Sequence, residues 1–191
     1  DTYFKWTFGH ELIPRNRRDY RMGLNGHQAV EARLRSELAC IQGLPCWYVC
    51  VGGGTLPSFS LALGKKIKRD VPLTNDAHPP EYRENDPEIS FLVWCSWRLA
   101  NLSAVGIVSS SCSDEQIEKD LPQLVGQQIE SVVLKAPFWD LDITFSGRLH
   151  LSTFSDNICS HGDTIDGNWE SHSKERVVSI GSGAKWEIQK R

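Results

Sequence analysis

Ile89-Ser-Phe-Leu-Val-Trp-Cys-Ser-Trp-Arg-Leu99 decides the fold. It is rich in β-formers, holds neither Gly nor Pro, and is apolar on both faces at its centre. That composition predicts one central strand of a sheet. Asn101 then predicts a turn, and Ala104–Ser109 the partner strand.

Working outward, Trp97 of this stretch aligns with Trp169. Without a gap, Val105-Gly-Ile-Val-Ser-Ser110 then falls on Val177-Val-Ser-Ile-Gly-Ser182. Upstream, Phe59-Ser-Leu61-Ala-Leu63 resembles Trp139-Asp-Leu141-Asp-Ile143, and Ile41-Gln-Gly43 resembles Val125-Gly126. Recurrence of one short unit predicts a pseudo-symmetric pair in which neither copy buries its apolar face alone.

A helical pattern precedes each copy. Asn25 reads as an N-cap with Gln28 three residues on, and Val30, Leu34, Leu38 and Ile41 recur at helical spacing up to Gly43. Ser113 opens the second helix, with Gln116 in the capping-box position and Asp114 and Glu115 in the first turn. Cys46–Val51, Ser58–Leu63, Ile129–Leu134, Phe138–Phe145, Leu149–Phe154, Asn168–His172, Val177–Ile180 and Lys185–Ile188 read as short strands, mostly in hairpins. Lys65–Asp86, with Pro72, Pro79 and Pro80, reads as a long loop of the kind that is often functional.

The predicted class is α+β: two pseudo-repeats, each a helix plus a mainly antiparallel β-meander. The expected division is an N-terminal extension at 1–21, a first repeat at 22–112 and a second at 113–191, packed as one unit. One continuous sheet and two facing sheets both satisfy this pattern.

The 191 residues are 40% apolar and 24% charged, with net charge -3, which fits an ordinary soluble chain and disfavours nucleic acid as partner. No window approaches the ~20 apolar residues of a membrane-spanning helix, and no apolar signal-peptide core stands near the N-terminus. The six cysteines contain no CxxC and read as free thiols of a reducing cytoplasm; Cys46 and Cys50 share one face if their segment is a regular strand. Seven Trp is a high count, and Trp97, Trp139 and Trp169, at matching positions, read as core.

Candidate chemistry is thin. Gly52-Gly-Gly-Thr55 follows a strand but lacks the Gly-Lys-Ser/Thr ending and the helix of a phosphate loop. Cys159-Ser-His161-Gly-Asp163 has metal-ligand residue types without the second pair a zinc site needs. Asp140 and Asp142 point away from Trp139 and Leu141 and read as a wet strand face rather than an acid–base pair. Six Cys and six His make thiol–imidazole pairs easy to assemble on paper, Cys46 with His150 or His161 among them. No catalytic residue, metal ligand or cofactor is assigned. The acids stand out more: Glu81, Glu84, Asp86 and Glu88 in the long loop, Asp114, Glu115, Glu118 and Asp120 along the second helix, and Asp156, Asp163, Asp166 and Glu170 about the polar loop. Glu81, Glu84, Asp86, Glu88, Asp114, Glu115 and Glu118 are the expected contacts for a protein partner with a basic surface.

Trp139-x-Leu-x-Ile, Leu149-x-Leu, Gly167-Asn-Trp169-Glu170 and Val177-x-Ser-Ile180-Gly together resemble a signature of small bacterial proteins of unknown function. Several of those resemble the immunity proteins encoded beside polymorphic toxins. The likeness spans roughly Gly126–Ile188 and rests on core-type residues. It implies a non-enzymatic cytoplasmic binding protein, an immunity or antitoxin-like partner of a toxin. The alternative expectation is an enzyme or small-ligand binder with a pocket between the two repeats.

Overall fold

Ile89–Leu99 is not one strand but two, and they belong to different sheets. The computed structural model describes residues 24–52, 57–101, 103, 105–157 and 167–191, with side chains from residue 28 onward. In chain order its elements are α1 (Leu24–Leu38), β1 (Cys46–Val51), β2 (Phe59–Lys68), α2 (Pro80–Glu84), β3 (Asn85–Val93), β4 (Ser96–Asn101) and β5 (Gly106–Ser109). There follow α3 (Asp114–Asp120), β6 (Ile129–Lys135), β7 (Asp140–Phe145), β8 (Leu149–Phe154), β9 (Gly167–Ser173), β10 (Arg176–Gly181) and β11 (Trp186–Lys190). Single 3₁₀ turns, Ala39–Ile41 and Leu121–Leu124, extend α1 and α3.

Both sheets are antiparallel. One runs β1-β2-β3-β9-β10-β11 and the other β5-β4-β8-β7-β6. Each joins a run of strands from one half of the chain to a run from the other half: β1-β2-β3 to β9-β10-β11, and β5-β4 to β8-β7-β6. The switch happens at Trp94–Cys95, whose backbone N–H groups both donate to the Asn168 carbonyl, at 2.9 and 3.1 Å. Alternation never breaks there. Ile89, Phe91, Val93, Cys95, Trp97 and Leu99 are all buried, and Trp94 between them is exposed. The inner row is apolar throughout because both sheets line one core, and only the hydrogen-bonding neighbours change. Phe59 of one sheet meets Trp97 of the other edge to face, ring centres 5.1 Å apart.

The two helices close the core with matching rows. Leu34, Leu38 and Ile41 lie inward from α1 and its 3₁₀ turn, as do Ile117, Leu121 and Leu124 from α3, and all are at most 1% exposed. Burying each contributes about 1.5–3 kcal/mol. Ser113 caps α3 as expected, its hydroxyl accepting from the Gln116 N–H at 3.3 Å. Asn25 does not cap α1: the helix already includes Leu24, one of the end shifts that fraying permits.

Three further expectations are corrected. The long loop is shorter, because β2 passes through Gly64 and runs on to Lys68, while α2 and the start of β3 take up Pro80–Asp86. Gly64 makes that possible: its φ of +77° suits a bulge, and a Cβ there would stand 2.6 Å from Glu88 Oε2. Cys46 and Cys50 do not share a face. A register shift between Cys46 and Tyr48 inverts the alternation, so Cys46 joins the core with Val49 while Cys50 points outward with Tyr48. Trp139 is buried but precedes β7, at φ +66°, rather than lying in the strand beside Leu141. Residues 1–21, Gly53–Thr55, Cys159, His161, Asp163 and Asp166 lie outside the described residues.

Candidate functional site

The two groups of acids expected to contact a basic partner are carried by different sheets. Glu81, Glu84, Asp86 and Glu88 ride on α2 and β3 of the six-stranded sheet. Asp114, Glu115 and Glu118 ride on α3, which packs beside β5 of the other.

Three of the first group, Glu81, Glu84 and Asp86, are already neutralised. The continuation of β2 sets a basic run, Lys65–Arg69, antiparallel to the acidic start of β3, with Ile67 opposite Asp86. Lys66 pairs with Glu81, Lys68 Nζ reaches Glu84 at 2.6 Å, and Arg69 Nη1 reaches Asp86 at 2.6 Å. The Lys65 backbone N–H donates to Glu88 Oε2 at 2.9 Å. The Lys68 hydrogen bond, then its charge, holds the Glu84 carboxyl below its ordinary range. Sequence reading missed this neutralisation, although the signal was present: a basic run and an acidic run flanking one loop are what a charge-paired hairpin requires.

The second group is free. Asp114, Glu115 and Glu118 are exposed and make no ion pair among the described residues, while Ile117 on the same helix is fully buried. The face is anionic, anchored from beneath and held on a capped helix.

Asp142 gathers most of the polar chemistry on the outer face of the five-stranded sheet. It pairs with Lys135, accepts from Ser152 Oγ at 2.8 Å and stands 3.4 Å from His150 Nε2. Burial pushes its carboxyl up, but the Lys135 and Ser152 hydrogen bonds and the Lys135 and His150 charges outweigh burial and hold it below its ordinary range. A carboxylate held ionised is a poor proton shuttle. Ser152 donates to Asp142 itself rather than to His150, whose Nδ1 faces Thr144 Oγ1 at 3.4 Å. Asp140 does not join Asp142, since its Oδ1 accepts from the Ser155 N–H at 2.7 Å.

The Cys46–His150 dyad is not formed. Cys46 lies in the shared core, and burial pushes its thiol up to about 12, whereas His150 is on the outer face of the other sheet. Burial likewise raises Cys95 to about 12, and burial first also raises Cys40 and Cys50. Such thiols are not thiolate nucleophiles. Among the described residues no three His, Cys, Asp or Glu stand close enough to hold a metal ion, and no helix is long and apolar enough to cross a membrane.

An aromatic cluster was invisible in the sequence. Tyr82 of α2 lies over Tyr48 with ring centres 4.4 Å apart, and Tyr48 Oη meets His78 Nδ1 at 3.1 Å. The cluster fastens α2 to the outer face of the six-stranded sheet. Burial, then the Arg69 charge, lowers the His78 pKa.

One ion pair ties α1 to β10. Arg176 Nη1 reaches both Glu37 carboxylate oxygens at 2.7 Å, and Arg33 Nε adds a contact at 3.0 Å. Burial raises the Glu37 pKa, but the hydrogen bonds and charges of Arg176 and Arg33 prevail and place it below 4.5. A depressed carboxyl stabilises the fold above its unfolded pKa, and that contribution vanishes as pH falls through the folded value. In urea denaturation, the stability difference between the wild type and Glu37→Gln is therefore expected at neutral pH and shrinks as pH falls below the ordinary carboxylate range. A difference independent of pH contradicts this assignment.

Compared with family models, with curated proteins and with solved structures, the chain matches none of them.

Proposed function

We propose that the chain is a non-enzymatic binding protein, the cytoplasmic immunity-type partner of a toxin with a basic surface, and that α3 carries the contact. One observation supports this above the rest: Asp114, Glu115 and Glu118 are solvent-facing and unpaired among the described residues, whereas Glu81, Glu84 and Asp86 are paired with Lys66, Lys68 and Arg69. Fixed anionic groups on a rigid element steer a cationic partner and set its orientation. The free thiols Cys40, Cys46, Cys50, Cys95 and Cys112 fit a reducing compartment.

The reading includes an internal duplication. Its support is a set of backbone bonds that recur where β1 and β6 meet at the Pro45–Gln128 bridge. Gly43 N–H donates to Ile129 O at 2.8 Å, and Gly126 N–H to Cys46 O at 2.7 Å; Cys46 N–H donates to Gln127 O at 2.8 Å, and Ile129 N–H to Leu44 O at 3.0 Å. Gly43 and Gly126 have φ of 84° and 85°. The order β1-β2-β3-β9-β10 then corresponds to β6-β7-β8-β4-β5. The ungapped alignment needs a two-residue adjustment: Leu99 pairs with Val108, but Ser171 pairs with Val178 rather than Ile180.

Co-expression with the toxin encoded beside it tests the function. The triple variant Asp114→Lys, Glu115→Lys, Glu118→Lys is expected to associate about tenfold to a hundredfold more slowly at low salt. Glu81→Lys with Glu84→Lys leaves association near that of the wild type. No stable complex with any neighbour-encoded protein, together with turnover of a small molecule, refutes the reading.

A further inference from the structure

One sheet edge is left uncovered. A strand edge presents unpaired N–H and C=O groups, which natural folds cover, shorten or bulge. Three of the four edges of these sheets are treated in that way. On β6, the Leu134 carbonyl accepts from Arg35 Nη2 at 2.6 Å and the Glu130 carbonyl from Gln42 Nε2 at 2.9 Å. β1 carries the register shift between Cys46 and Tyr48, and both backbone groups of Cys46 are bonded, to Gln127 and Gly126. β5 has only four residues and a register shift of its own. β11 has none of these devices. Its pairs with β10 run without a shift, and among the described residues nothing but β10 bonds to its backbone.

The ladder fixes which groups are open. Gly181 N–H donates to Lys185 O at 2.8 Å, and Arg191 N–H to Glu175 O at 2.9 Å. Hydrogen-bonded positions alternate along an antiparallel pair. Glu187 and Gln189 therefore bond to β10, and Trp186, Ile188 and Lys190 turn their N–H and C=O groups to the open edge. The two bonds flank β11, and Arg191 Nη2 adds a third to His172 Nδ1 at 2.9 Å, so the edge is held extended before any partner arrives. Its core-side residues Trp186 and Ile188 are only half-buried, although their neighbours Ile180 and Val178 are buried.

We propose that two copies of this chain pair through β11, antiparallel about Ile188, and so join their six-stranded sheets edge to edge. The strand is complementary to itself in that register. Trp186, Ile188 and Lys190 of one copy exchange both backbone bonds with Lys190, Ile188 and Trp186 of the other. Ile188 covers Ile188, each Lys190 ammonium meets the other copy's Trp186 indole, and Glu187 stands opposite Gln189. The neighbouring registers fit less well. Centring on Glu187 opposes two carboxylates; centring on Gln189 sets Lys190 against Ile188 and leaves Trp186 uncovered. Pairing uses the edge of each copy once, so it closes at two. It uses no residue of α3 and does not depend on the toxin reading.

Sedimentation velocity of the 191-residue chain over a concentration series tests it. A monomer–dimer equilibrium with a Kd of about 10–100 µM is expected, since so small an interface belongs to the weak class. Lys190→Pro removes an N–H that only the second copy uses, at an exposed position on an edge strand, and returns the protein to monomer with its circular dichroism unchanged. Ile188→Lys and Ile188→Glu are each monomeric, because like charges then face each other across the axis, while an equimolar mixture of the two pairs again. Recovery in the mixture reads the register and cannot come from lost folding. The α3 lysine variant dimerises like the wild type, which separates failure of this proposal from failure of the toxin reading. A wild type that stays monomeric at about 500 µM overturns the proposal. So does a dimer that survives Lys190→Pro, or a mixture that fails to pair.

Discussion

Trp169→Ala is expected to lower the stability of the fold by about 3–5 kcal/mol. The side chain is completely buried, stacks near Phe91 with ring centres 5.9 Å apart, and donates its indole N–H to the Trp139 carbonyl at 2.8 Å. Trp139 in turn donates its own indole N–H to the Ala184 carbonyl at 3.0 Å. Truncation therefore leaves a large cavity and removes one of the donors to the Trp139 carbonyl, costing about 3–5 kcal/mol. Against a total stability of about 5–15 kcal/mol, that consumes much of the margin. Trp169→Phe keeps most of the volume and loses the N–H bond, so its cost falls between the two. Urea denaturation followed by far-ultraviolet circular dichroism measures both. A cost below about 1 kcal/mol for Trp169→Ala contradicts the packing described.

Asn168→Ala carries the second largest effect, despite its small change in volume. Asn168 is fully buried; its Nδ2 donates to Gly181 O at 3.0 Å and its Oδ1 accepts from Asn157 N–H at 3.1 Å. Its backbone carbonyl holds the Trp94 and Cys95 N–H groups where the chain changes sheets. Alanine strands one buried acceptor and one donor, each worth about 1–3 kcal/mol. A loss of about 2–5 kcal/mol is expected by the same measurement. Amide exchange at Trp94 and Cys95 should also accelerate as the crossover loosens. An unchanged midpoint would mean that water replaces the amide without penalty.

Period-two alternation made the strands legible, and helical spacing with a serine cap made α3 legible. The sheet change at Trp94 was not, because a strand leaving one sheet for a facing one keeps the same inward side. Nothing in the residue pattern of Ile89–Leu99 marks a change of neighbour. Gly64 looked like a stop and is a bulge, since a positive φ serves either purpose. The same error hid the charge pairing of Glu81, Glu84 and Asp86, which requires β2 to reach Lys68. Asp142 was visible as an outward acid, but its partners Lys135, His150 and Ser152 come from two neighbouring strands, and only register brings them together.

Interleaving of the halves has a consequence for synthesis. While β3 emerges from the ribosome, the strand that will flank it, β9, has not yet been translated, and β4 likewise waits for β8. The growing chain must carry open, apolar strand edges until β8 and β9 emerge, so closure of both sheets waits for them. Such a chain acquires its resistance to proteases all at once, when the last strands arrive, rather than in two instalments.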